Sequence, residues 1–252
     1  MTGPQLRLEG VSAGYGRTTV LRDIDLEIPA ASVVALLGSN GAGKTTLLRV
    51  ASGLMRPSVG HVLVDDQDVT HEAPSERRRH GVCLIPEGRG IFRSLTVREN
   101  LLLQIPPWEK DTSLDPALEM FPALRTRLGD LAGRLSGGQQ QMVALSRAFF
   151  GSPSLVLLDE VSMGLAPIVV DTIFEALHVL AARGTALLIV EQYVSRALAV
   201  ADHVYLIGHG SIIFQGSSAS LDQAAVMRHY LSHDLAAGQP AAGHPAVDRG
   251  PT

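Results

Sequence analysis

The feature that most constrains this chain is Gly38-Ser39-Asn40-Gly41-Ala42-Gly43-Lys44-Thr45-Thr46, set between the apolar run Val33 to Leu37 and the helix-compatible segment Thr46 to Ser52. Glycines at this density let backbone N–H groups converge on phosphate oxygens, and a helix opening directly behind adds the positive end of its dipole. Lys44 would reach β and γ phosphates, and Thr45 would hold Mg²⁺ through its hydroxyl. An ordinary glycine turn would not need strand, loop and helix in that order.

Further short apolar runs recur between helical stretches: Val82 to Ile85, Leu155 to Leu158 and Ala186 to Val190. Strands that are apolar on both faces suit a parallel sheet covered by helices, so the expected fold is α/β, a P-loop (RecA-like) parallel sheet core. Leu6 to Ile28 and Gly60 to Val69 alternate as strands do, which predicts an antiparallel β layer on the N-terminal side. From Glu87 to Phe150 strand signals give way to helix signals. Thr96 with Glu99 and Ser136 with Gln139 have capping-box spacing, and Asp115-Pro116 reads as an N-cap followed by a first-turn proline. We read a helical sub-domain at 87–150 inserted into a core of 1–86 and 151–218. One domain would then span 1–235, with Val204 to Ile207 and Ser211 to Gln215 forming a hairpin. An amphipathic stretch, Leu221 to Leu231, precedes a Gly-, Ala- and Pro-rich tail at 236–252 that is expected to be disordered.

Composition narrows the function classes. With 252 residues, 46% of them hydrophobic, the chain can bury a large core without staples. Its single cysteine, Cys83, sits in an apolar run and reads as a buried strand thiol in a reducing cytoplasm. No apolar run approaches the roughly 20 residues that span a bilayer, and Met1 to Gly10 does not resemble a secretory signal. The net charge of −4 argues against nucleic acid as a partner, and Arg77-Arg78-Arg79-His80 reads as a solvated helix face.

Two more motifs carry chemistry. Leu155 to Leu158 runs into Asp159-Glu160: Asp159 would join the Mg²⁺ shell, and Glu160 would polarise water for in-line attack on the γ-phosphate. Adjacent carboxylates are otherwise often a solvated strand end, a reading the phosphate loop weakens. Leu135-Ser136-Gly137-Gly138-Gln139 places a glycine-rich helix start 92 residues after Lys44 and 23 before Asp159. Ser136 reads both as a cap and as part of an anion site.

In this order the three motifs resemble those of ABC-type ATPases. The resemblance implies ATP and Mg²⁺ as cofactors, with ATP held by Tyr15, Gly38, Ser39, Asn40, Gly41, Ala42, Gly43, Lys44, Thr45 and Thr46. Tyr15 stands where the family places an aromatic that stacks on adenine, although a strand tyrosine is more often packing. Because one surface cannot use both grips on one nucleotide, Ser136, Gly137, Gly138 and Gln139 would close on ATP held by a second ATPase subunit, identical or related.

Three features resemble one branch, the second ATPase subunit of branched-chain amino acid importers. Glu87 stands where most relatives carry the Q-loop glutamine, Gln192 replaces the switch histidine, and Gly164-Leu165-Ala166-Pro167 follows the Asp159 strand. Val161 departs from the proline usual in that branch. The resemblance implies Thr45, Asp159 and Glu87 around Mg²⁺, and Lys44, Glu160 and Gln192 in catalysis. Gln192 would position the γ-phosphate and contact the turn Ser162 to Gly164 of the facing subunit. Two membrane permease subunits would dock in a groove at Glu87 to Asn100, fed indirectly by an extracytoplasmic binding protein, with the chain peripheral at the cytoplasmic face of the cell membrane. Ile91 and Phe92 are either an exposed docking pair or buried within the sub-domain. A urea or short-amide importer, a lipid exporter and a non-transport ABC ATPase are the alternatives.

Overall fold

The computed structural model of the protein describes residues 4–191 and 194–220. Gln192, the stretch from Leu221 to Leu231 and the tail 236–252 lie outside them.

Two sheets organise the chain. Strands β1 (Pro4–Tyr15), β2 (Thr18–Pro29), β4 (Val59–Val64) and β5 (Gln67–Asp68) form an antiparallel sheet in the order β2-β1-β4-β5. Strands β3 (Val33–Leu37), β6 (Val82–Ile85), β7 (Leu155–Asp159), β8 (Ala186–Val190), β9 (His203–Gly208) and β10 (Ser211–Ser217) form the second sheet in the order β10-β9-β3-β8-β7-β6. Its pairs are parallel except for the β9–β10 hairpin at the edge. The helices are α1 (Lys44–Ala51), α2 (Pro74–Arg79), α3 (Val97–Gln104), α4 (Asp115–Met120), α5 (Gly137–Leu145), α6 (Pro167–Ala182) and α7 (Val194–Val200).

Alternation along the central strands divides the core in two. Val34, Leu36, Leu155, Leu157, Leu188 and Val190 face α1 and the antiparallel sheet. Val33, Ala35, Leu37, Val156, Leu158, Leu187 and Ile189 face α6, α7 and the helices of 97–150. Every residue of β3, β7 and β8 is buried, which is why these strands read as continuous apolar runs. Cys83 is buried in β6, as expected.

Both capping boxes form. The Thr96 hydroxyl accepts from the Glu99 N–H at the start of α3, and that of Ser136 accepts from the Gln139 N–H at the start of α5. The third helix start is displaced by one residue. Leu114 is the N-cap of α4, and the Asp115 carboxylate accepts instead from the Ser113 hydroxyl, which in turn accepts from the Asp115 N–H.

The basic cluster is a solvated face only in part: Arg79 is exposed, but Arg77 is not. Arg77 is 1% exposed and its guanidinium donates to Val50 and Ala51 O at the end of α1 and to Val69 and Thr70 O, satisfying carbonyls that a helix end leaves open. Burial lowers its pKa to about 10. Arg78 reaches the carbonyls of Arg147 and Phe150, and Arg79 stacks over Trp108.

Candidate functional site

The register of the central strands aligns three chain ends. Leu36 of β3 pairs with Val190 of β8, and Val190 with Asp159 of β7. The loops leaving these strands therefore emerge side by side at the carboxyl edge, where open α/β sheets hold ligands.

The loop after β3 folds back on itself, with the Ala42 N–H donating to Ser39 O at 3.1 Å and Gly43 O accepting from Leu47 N at 2.9 Å. Gly43 enters α1 at φ 112°, and a Cβ there would lie 2.8 Å from Leu21 Cδ2, so no other residue fits without movement. The start of α1 carries no side-chain cap, the arrangement by which a helix N-terminus receives an anion. Lys44 is buried, and its ammonium donates to Gly38 O at 2.8 Å and Ser39 O at 3.0 Å, 4.0 Å from Glu160 Oε1. Across the gap the Thr45 hydroxyl donates to Asp159 Oδ1 at 3.3 Å.

Burial pushes the Asp159 carboxyl up from 3.8 to about 6. Glu160 and Glu87 add to the rise by repulsion, while the Thr45 hydrogen bond and Lys44 oppose it. Glu160 itself holds φ 48°, a left-handed conformation costly for a residue with a Cβ, and its N–H is fixed to Val190 O at 2.9 Å. Asn40, Gly41, Lys44, Thr45, Glu87 and Glu160 line one cavity of about 440 Å³, with Val20 and Met163 on its wall. Val20 and Met163 were not legible as site residues, because only the tertiary fold carries the β1–β2 hairpin and the Gly164 turn to the phosphate loop.

Tyr15 stands apart from that lining. It ends β1, is half exposed, and its hydroxyl accepts from Arg49 of α1 at 2.8 Å. Ser136 to Gln139 do not line the cavity either. Ser136 is exposed at the start of α5, while Gly138 is buried against α6, where a Cβ would lie 2.8 Å from Val169 Cγ1 and Cγ2. The first part of the motif is therefore presented outward and the last part seats the helix. Of the turn Ser162 to Gly164, Ser162 is wholly buried against Glu191 of its own chain, whereas Met163 and Gly164 are exposed.

A second, larger cavity of about 580 Å³ lies beside the Glu87 loop, with Leu54, Phe92, Leu103 and Trp108 as exposed apolar side chains on its wall. Ile91 and Phe92 behave differently. Phe92 is 60% exposed, whereas Ile91 packs against the core. Among the described residues no helix is long and apolar enough to cross a membrane.

Comparison with known proteins agrees with this geometry. The ABC transporter family profile matches residues 21–163. The high-affinity branched-chain amino acid transport ATP-binding protein BraG of Pseudomonas aeruginosa is 38% identical over 86% of this chain and 94% of its own. The lipopolysaccharide export system ATP-binding protein LptB of Haemophilus influenzae is 33% identical over 91% of this chain and 98% of its own. Among solved structures, the ADP conformation of MJ1267, an ATP-binding cassette of an ABC transporter, superposes with a TM-score of 0.78 at 26% identity, covering 94% of this chain and 100% of that one. With the phosphate loop, the acidic strand end and the helix start at Ser136 each in place, the chain belongs to the ABC transporter family as an ATP-binding, ATP-hydrolysing cassette.

Proposed function

We propose that this cassette works with Mg²⁺ as half of a dimer and powers a membrane importer of branched-chain or other hydrophobic amino acids. The observation that carries the substrate reading is the 38% identity to BraG, against 33% to LptB, across nearly the whole chain.

The donors suit the metal. Thr45 and Asp159 offer a hydroxyl and a buried carboxylate beside the phosphate loop, with Glu87 on the same cavity wall, and hard oxygen ligands of this kind suit Mg²⁺. Bound there, Mg²⁺ would offset charge on the β and γ phosphates. Lys44 fixes those phosphates, Glu160 accepts a proton from the attacking water, and Gln192, an amide, positions the γ-phosphate without carrying a proton. The exposed helix start at Ser136 lies outside the cavity of its own chain, which suits a grip on ATP bound by the other subunit. The apolar groove around Phe92 receives a helix of a membrane subunit, and the segment 87–150 moves with the nucleotide and pulls on it. This would hold the chain at the cytoplasmic face of the cell membrane.

The test is reconstitution of the affinity-purified membrane complex in vesicles. ATP-dependent uptake of labelled leucine, isoleucine or valine supports the reading. Uptake of urea instead replaces the substrate, and hydrolysis stimulated only by lipopolysaccharide would move the cassette to an exporter.

A further inference from the structure

The loop that carries Glu87 continues through Gly88, Arg89 and Gly90 at φ 76°, 74° and 60°. Glycine adopts this conformation freely, but arginine does not, so Arg89 stays there only because something outside the loop holds it. Its Nη1 donates to Gln140 Oε1 on the first turns of α5, and its Nη2 lies where a Cβ on Gly137 would approach to 3.1 Å. Gln140 is 5% exposed, and its amide nitrogen donates to Ala132 O at 3.1 Å and Leu135 O at 3.2 Å, so it is oriented from the far side. A guanidinium beside a helix N-terminus opposes the helix dipole, an arrangement that an arriving anion would relieve.

We infer that Arg89 is a positioning residue: through Gln140 it joins the wall of the chain's own nucleotide cavity to the Ser136 helix start that is offered to the other subunit. The joint has a second fixing point. Arg147, just beyond α5, donates to Leu84 O at 3.1 Å and Gly90 O at 3.0 Å, so the Glu87 loop and α5 are clamped at both ends of the loop. A displacement of Glu87 when nucleotide enters is thereby passed to Ser136 as a rigid movement. The inference rests on the dimeric reading given above, in which Ser136 serves ATP held by the second subunit.

The test places Arg89→Ala and Arg89→Lys in the otherwise parental chain, where steady-state turnover is measured, and separately beside Glu160→Gln, which is expected to trap the ATP-bound dimer, where sedimentation and ATP titration are measured. Arg89→Ala should lower kcat and ATP-driven dimerisation by roughly tenfold, the scale of a lost coupling contact, while ATP affinity of the separate subunit and the melting temperature hold. Arg89→Lys, which keeps a charged donor, should restore most of both. If the Glu160→Gln protein with Arg89 intact does not dimerise with ATP, the dimeric reading fails and this inference falls with it. Should it dimerise while Arg89→Ala dimerises and turns over equally well, the inference alone is overturned. A loss of dimerisation matched by an equal loss of ATP affinity or folding would also overturn it, since the residue would then be structural.

Discussion

The Ser162 hydroxyl donates to Glu191 Oε2 at 2.5 Å and the Ser162 N–H to Oε1 at 3.1 Å, with both residues 0% exposed. One carboxylate therefore ties the segment just after Glu160 to the end of β8, immediately before Gln192. A buried carboxylate is tolerated only while its donors remain. Ser162→Ala removes one of them and should lower stability by about 1–3 kcal/mol, measured by chemical unfolding. An unchanged unfolding midpoint would show that the pair contributes nothing.

Lys44 and Glu160 face the same cavity 4.0 Å apart but should fail differently. Lys44→Ala removes a charged donor to phosphate and is expected to weaken ATP binding by roughly 10- to 100-fold in equilibrium titration. Glu160→Gln keeps the size and the strained backbone but not the base. It should bind ATP normally and lose roughly 10² to 10⁴ in turnover. Parental hydrolysis by Glu160→Gln would place the base elsewhere.

Much of this site was legible because local rules and tertiary structure agree. Val33 to Leu37 and Ala186 to Val190 are buried on both faces, so their apolar runs mark strand limits directly. The boxes at Thr96 and Ser136 are local hydrogen bonds three residues apart, which sequence spacing encodes. What was not legible depends on distant partners. Ser162 meets Glu191 across 29 positions, and an arginine run reveals nothing of the four carbonyls around Arg77. The start of α4 shifted because Ser113 forms a local turn with Asp115 that competes with the cap.

Tyr15 presents a half-exposed ring whose hydroxyl is held by Arg49. If the ring stacks on adenine, the contact is equal in ground and transition states. Tyr15→Ala should then raise KM for ATP with little change in kcat, and Tyr15→Phe, which keeps the ring face, should stay near parental. A fall in kcat at constant KM would contradict the assignment.

Asp159 gives the clearest pH signature. Its folded value of about 6 lies above the ordinary 3.8, so the folded chain binds this proton more tightly than the unfolded chain does. The stabilisation it brings is complete below about pH 4 and is lost as pH rises through about 6, because a buried, ionised carboxylate beside Glu160 and Glu87 is then left to be desolvated. Asp159→Asn resembles the protonated form at every pH. In metal- and nucleotide-free buffer the variant should match the parent near pH 4 and exceed its stability by about 3 kcal/mol at pH 7, the cost of keeping the buried carboxylate ionised. Mg²⁺ with ATP should reverse the order at pH 7 by favouring the carboxylate in the parent alone. A stability difference that stays constant between pH 4 and pH 7 would show that Asp159 ionises in the fold as it does in water.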